Sequence, residues 1–72
     1  MYYLTELQTR PDGIVNTSLN GYSSLAVGLA QFYQRAAAAV TSKQFVKVAL
    51  TLQDQFGNIA KNECFDTLYE GA

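Results

Sequence analysis

The chain of 72 residues has no histidine, one cysteine (Cys64), one proline (Pro11), and charged side chains at only 15% of its positions. Each shortage removes a class of function. Without histidine the commonest general base is missing, and serine–histidine or cysteine–histidine nucleophile pairs cannot form within one chain. A single cysteine precludes an internal disulfide, and one thiol with scattered carboxylates gives no zinc-type ligand set. Five basic residues against six acidic ones leave a net charge of −1 and a pI near 5.0. That balance argues against general binding to a phosphate backbone, which needs a clear excess of Lys and Arg. Long apolar runs are absent too. The most apolar stretch, Leu25 to Val40, is broken by Gln31, Gln34 and Arg35 and is too short and too polar to span a bilayer. The opening Met1-Tyr2-Tyr3-Leu4-Thr5-Glu6 lacks the basic start and apolar run of a signal peptide. A cytoplasmic location is expected, with no membrane contact.

What is present is apolar. Residues of that kind make up 49% of the chain, far from the low hydrophobicity and high charge of disordered segments. The length suits one domain, 1–72. A chain this short buries only about 60% of the surface its unfolded form exposes. With disulfide and metal excluded, oligomerisation is the remaining route to stability.

Residues 2–9 are rich in aromatic and β-favouring side chains and predict a strand with faces Tyr3/Thr5/Leu7 and Tyr2/Leu4/Glu6. Arg10-Pro11-Asp12-Gly13 suits a type I turn. Ile14 to Thr17 predicts a short return strand, which Asn20-Gly21 is expected to end. Ser23 or Ser24 is a plausible N-cap for a helix to about Thr41. Its inner stripe is read as Leu25, Leu29, Phe32, Ala36 and Val40, with Tyr22, Ala26, Tyr33 and Ala37 beside it. Gly28 reads equally as a close approach by another element or as a tolerated glycine. From Gln44 to Asp54, Val46, Val48, Leu50 and Leu52 alternate with Phe45, Lys47, Ala49 and Thr51, the clearest strand signal in the chain. Gln55-Phe56-Gly57-Asn58 predicts a turn, and Ile59 to Phe65 a last strand. The fold class is therefore α+β: a ββαββ chain forming a small antiparallel sheet with one helix on one face.

Between Gly13 and Ser42 the only charged residue is Arg35. A helix covering a small sheet ordinarily carries Lys and Glu on its outer side; this one carries Ser, Gln, Ala and Gly. An uncharged outer face predicts a second contact, most simply another copy of the chain. The plainer alternative is a solvated Ala/Gln-rich helix.

The residues with chemical potential are few. Cys64, near the end of the last strand, reads as a small buried hydrophobe. Asp12 and Asp54 read as turn residues. Glu6 and Glu63, if placed on neighbouring strands, are a conceivable acid/base dyad, though no spacing demands it; Asp66 and Glu70 stand apart. Catalysis and cofactors are not expected. For binding, Arg35, Tyr33 and Lys47, with Lys43 just beyond the helix, are the candidate ligand-binding residues: guanidinium to phosphate, ring to base. The simpler reading is that Arg35 forms a salt bridge across a subunit interface and Lys47 is solvated. Five Tyr and four Phe also suit a protein-binding surface.

The opening Met1-Tyr2-Tyr3-Leu4-Thr5-Glu6-Leu7-Gln8, the Asp12-Gly13 turn, the alanine-rich helix and the late Asp54-Gln55-Phe56-Gly57-Asn58 hairpin resemble short uncharacterised proteins encoded by phages and prophages of Gram-positive bacteria. The present chain departs from them in its less charged first half. No site residue carries over. What the resemblance implies is a setting, a phage accessory protein in a bacterial cytoplasm. In that setting the expected function is a non-enzymatic anti-defence protein, neutralising host immunity by sequestering a nucleotide signal or blocking a protein. The alternative is an accessory of virion structure or assembly acting through protein contacts alone.

Overall fold

The computed structural model describes residues 1–66. In chain order these form β1 (Tyr2–Thr9), β2 (Val15–Tyr22), α1 (Leu25–Thr41), β3 (Lys47–Asp54) and β4 (Ile59–Asp66). The strands make one sheet in the order β2-β1-β3-β4, every neighbouring pair antiparallel. The α+β fold and its ββαββ order are as the sequence pattern predicts. Among the described residues no helix is long and apolar enough to cross a membrane.

The two hairpins share one device. Gly13 donates its N–H to the Arg10 carbonyl (2.9 Å), and the Arg10 N–H is donated to Ile14 (2.8 Å). At the other end Gly57 donates to Asp54 (3.1 Å) and Asp54 donates to Asn58 (2.9 Å). Both glycines sit in the left-handed region, at φ 91° and 89°, where a side chain would be strained. A type I turn closed by such a glycine is a standard three-residue hairpin link. Asp54 completes the second turn: its Oδ1 accepts from the N–H groups of Phe56 and Asn58, and its Oδ2 from the Asn58 amide.

Strand ends depart from local signals. Asn20-Gly21 does not end the return strand, because Leu4 and Tyr3 pair with these two residues and carry the ladder on to Tyr22. Gly21 is accommodated under the Tyr3 ring, whose Cε1 would lie 3.4 Å from an added Cβ. Conversely, β3 begins at Lys47 and not at Gln44: β1 has run out, and the last rung is the Val46 N–H to the Thr9 carbonyl. Tertiary pairing outweighs turn propensity at the first place and strand propensity at the second.

The helix begins where Ser24 caps it, its Oγ accepting from the Val27 N–H. Alternation along β1 and β3 turns Leu4, Val48, Leu50 and Leu52 towards it, and these residues enclose Phe32, which has no exposed surface. Each such side chain contributes roughly 1.5–3 kcal/mol by leaving water. The buried row of the helix is Gly28, Phe32 and Ala39, flanked by half-buried Leu29 and Ala36. Leu25 and Val40, expected in this row, are exposed. Val40 lies about 80° around the helix from Phe32, whereas Ala39 lies only about 20° away; Leu25 occupies the first turn.

Gly28 marks a close approach. A Cβ there would lie 3.2 Å from Leu52 Cδ1 and 3.8 Å from Tyr2 Cβ, so the missing side chain lets the helix settle on β3 and β1. Gly28→Val overpacks this contact and is expected to destabilise the fold by about 1–3 kcal/mol; a denaturation midpoint equal to wild type would contradict it.

The bonds from Asn58 hold the Asp54 carboxyl below its ordinary value of 3.8. A carboxyl depressed on folding stabilises the native state above its unfolded pKa and loses that contribution as pH falls through the folded value. Asp54→Ala is therefore expected to lower the melting temperature at neutral pH, and the gap to wild type is expected to narrow as pH falls through the lowered carboxyl value. A gap that does not change with pH would show that the carboxylate charge has no part in the turn.

Candidate functional site

Strand alternation that sends Leu4 into the core sends Glu6 there too, opposite Leu50, with Gln8 opposite Val48. Glu6 is the one buried charged residue among those described, at 6% exposure. Burying a carboxylate without partners is costly, and here both oxygens have donors. Arg35 Nη1 lies 3.0 Å from Oε1, and Gln8 Nε2 donates to Oε2 at 2.6 Å. Arg35 reaches the acid because it sits one helical turn beyond Phe32, on the flank of α1 that faces away from β4.

Beside this ion pair lies a cleft of about 270 Å³ between β1 and α1, lined by Glu6, Gln8, Gln31, Gln34, Arg35 and Ala38. A smaller recess of about 120 Å³ continues past Ala38 and Ala39 towards Ser42, Phe45 and Val48. The main cleft presents one carboxylate, one guanidinium and three carboxamides, so its charges cancel. Such a lining offers donors and acceptors to neutral polar groups, such as a peptide amide, and concentrates neither anions nor cations.

The sequence-predicted ligand residues do not gather there. Arg35 lines the cleft and is engaged by Glu6 of its own chain, not by a residue of another copy. Tyr33 is about 200° from Arg35 around the helix; its exposed ring stands edge-on to Phe32 and under the Lys61 ammonium, 5.5 Å from the ring centre. Lys47 lies on the far side of the sheet, in the phase opposite to Val48, and its Nζ is 3.5 Å from Asp66. Lys43 is exposed just past the helix C-cap. Arg35, Tyr33 and Lys47 thus point in three different directions.

Other expectations are corrected. Cys64 is exposed, because its pairing with Ala49 places it on the open face of the sheet. Glu6 and Glu63 are not on neighbouring strands: both oppose Leu50 from either side of β3, which separates their backbones by about 10 Å. Asp12 and Asp54 are turn residues as read. Glu70 lies outside the described residues. Among those described, no three His, Cys, Asp or Glu side chains are placed to hold a metal ion.

No family model matches the chain, and neither the curated proteins nor the solved structures contain a match to it.

Arg35→Ala strands the Glu6 carboxylate in the core. The expected loss is about 1–3 kcal/mol, smaller than for a fully buried pair because the guanidinium is 39% exposed and screened by water. Glu6→Gln in the Arg35→Ala background is expected to recover part of that loss. Urea unfolding of the four proteins in this cycle measures the coupling; strict additivity would mean that the pair contributes nothing.

Proposed function

We propose that the protein is a non-enzymatic accessory of phage origin that acts in the bacterial cytoplasm as an anti-defence binding protein, works as a homo-oligomer, and engages a host protein. The resemblance to short phage and prophage proteins supplies the setting. The observation that carries the choice of partner is the direction of Arg35. The only charge on α1 is turned inward to Glu6, leaving an outer helix face of Val27, Ala30, Gln34, Ala37 and Thr41 that is exposed and uncharged. Uncharged exposed faces suit contact with protein surfaces. Sequestering a nucleotide asks for cations that converge on a phosphate, and Arg35 and Lys47 lie on different faces, each beside a carboxylate.

The test is phage plating on bacteria that each carry one defence system. Co-expression of the protein is expected to restore plaques against at least one system. The Ala30→Lys/Ala37→Lys variant, with both changes at exposed sites that alter stability by at most about 0.5 kcal/mol, is expected to lose that effect while keeping its circular dichroism. Full activity of the variant would remove the helix face from the contact. Failure of the wild type against every system, with the protein recovered in purified virions, would favour a role in assembly.

A further inference from the structure

The two edges of the sheet differ in kind. The β4 edge carries Lys61, Glu63 and Asp66 and a register shift against Leu52/Gln53. Charges and bulges of this sort are what natural sheets use to repel another strand. The β2 edge, Val15 to Tyr22, has no charge, no proline and no break in its pairing with β1 over all 8 residues. No backbone hydrogen bond outside the β1 ladder reaches it among the described residues. An uncharged, unbroken edge of this length is a template for strand addition.

The hydrogen-bond phase of that edge follows from the hairpin. Arg10 donates to Ile14, so these two form a hydrogen-bonded pair, and alternation makes Gln8/Asn16, Glu6/Ser18, Leu4/Asn20 and Tyr2/Tyr22 the next ones. The carbonyl of Thr9, opposite Val15, is engaged by Val46 on the other side, which agrees. The N–H and C=O groups of Val15, Thr17, Leu19 and Gly21 therefore point out of the sheet.

We propose that two copies of the chain pair antiparallel through their β2 edges, with Ser18 on the twofold axis, into one continuous eight-stranded sheet. This deepens the oligomeric part of the reading above. The occupant is a second copy because the edge is self-complementary. With Ser18 on the axis, Thr17 opposes the partner's Leu19 and Val15 opposes the partner's Gly21, all four being outward-bonding positions. The register forms roughly eight backbone hydrogen bonds between copies and sets no like charges against each other. It also covers Leu19 and Val15, now 64% and 49% exposed, in one seam on the open face, with the two Leu19 side chains diagonal neighbours. On the helix side, the pairing sets Asn16, Ser18 and Asn20 of the two copies side by side.

Amide-resolved hydrogen exchange of the wild-type protein, with native mass spectrometry, tests the pairing. The expected mass is that of a dimer, twice the 7.9 kDa chain. The Val15, Thr17, Leu19 and Gly21 amides are expected to be protected alongside those of Asn16, Ser18 and Asn20. On dilution below the dimer's dissociation constant, exchange of the outward set should speed up by about tenfold or more relative to the inward set. Thr17→Pro removes a donor that the single chain does not use and is expected to yield a monomer; should that variant fail to fold, the wild-type exchange pattern decides alone. A dimer whose four outward amides exchange rapidly would overturn the edge pairing and leave the oligomeric reading standing. A monomer at high concentration would overturn both.

Discussion

A carboxylate inside so small a core constrains everything around it. Glu6 is carried inward by the same alternation that buries Leu4, and burying a carboxylate is costly unless hydrogen-bond donors accompany it. Gln8, two residues along the same face, supplies one. The other must come from the covering element, and α1 has a single cation to offer. The rotation of the helix that brings Arg35 to Glu6 also points Phe32 and Ala39 into the sheet, sets Gly28 against Leu52 and turns Tyr33 towards Lys61 on β4.

The exterior follows from that choice. With its one charge used inside, α1 shows water an outer face of alanine, valine, glutamine and threonine. The opposite face of the sheet carries Thr5, Leu7, Thr17, Leu19, Ala49 and Thr51, and its charges, Lys47 and Asp66, pair at one end. A chain of this size cannot bury enough apolar surface alone to leave a wide margin of stability. Surfaces of low charge, and one edge without protection, are where it can bury more. The partner binding and self-association proposed above would both draw on this physical shortage.

The polar cleft brings a carboxylate, a guanidinium and carboxamides together, and its character is neutral. A guanidinium already joined to a carboxylate contributes direction more than field. Three glutamine amides beside it can donate and accept, so the cleft suits groups recognised by hydrogen-bond pattern.

Local chemistry was enough to place the elements. Alternation in Val48–Leu52, the Ser24 cap, and the Asp12-Gly13 and Phe56-Gly57-Asn58 turns act over a few residues, so strand, helix and hairpin could be read from the chain. The faces of β1 were legible as well, with Leu4 and Glu6 on one side. Partners separated by long stretches of chain were not. That Glu6 would meet Arg35, that Asn20-Gly21 would stay in the ladder, that Cys64 would face outward and that Tyr33 and Lys47 would leave Arg35 were settled by register and helix rotation. A single residue's shift in register reverses the face of every side chain on a strand. Residue type and spacing thus determined which elements form and in what order. Which charges neutralise one another, and which surface is left uncharged, was decided only when the helix docked on the sheet.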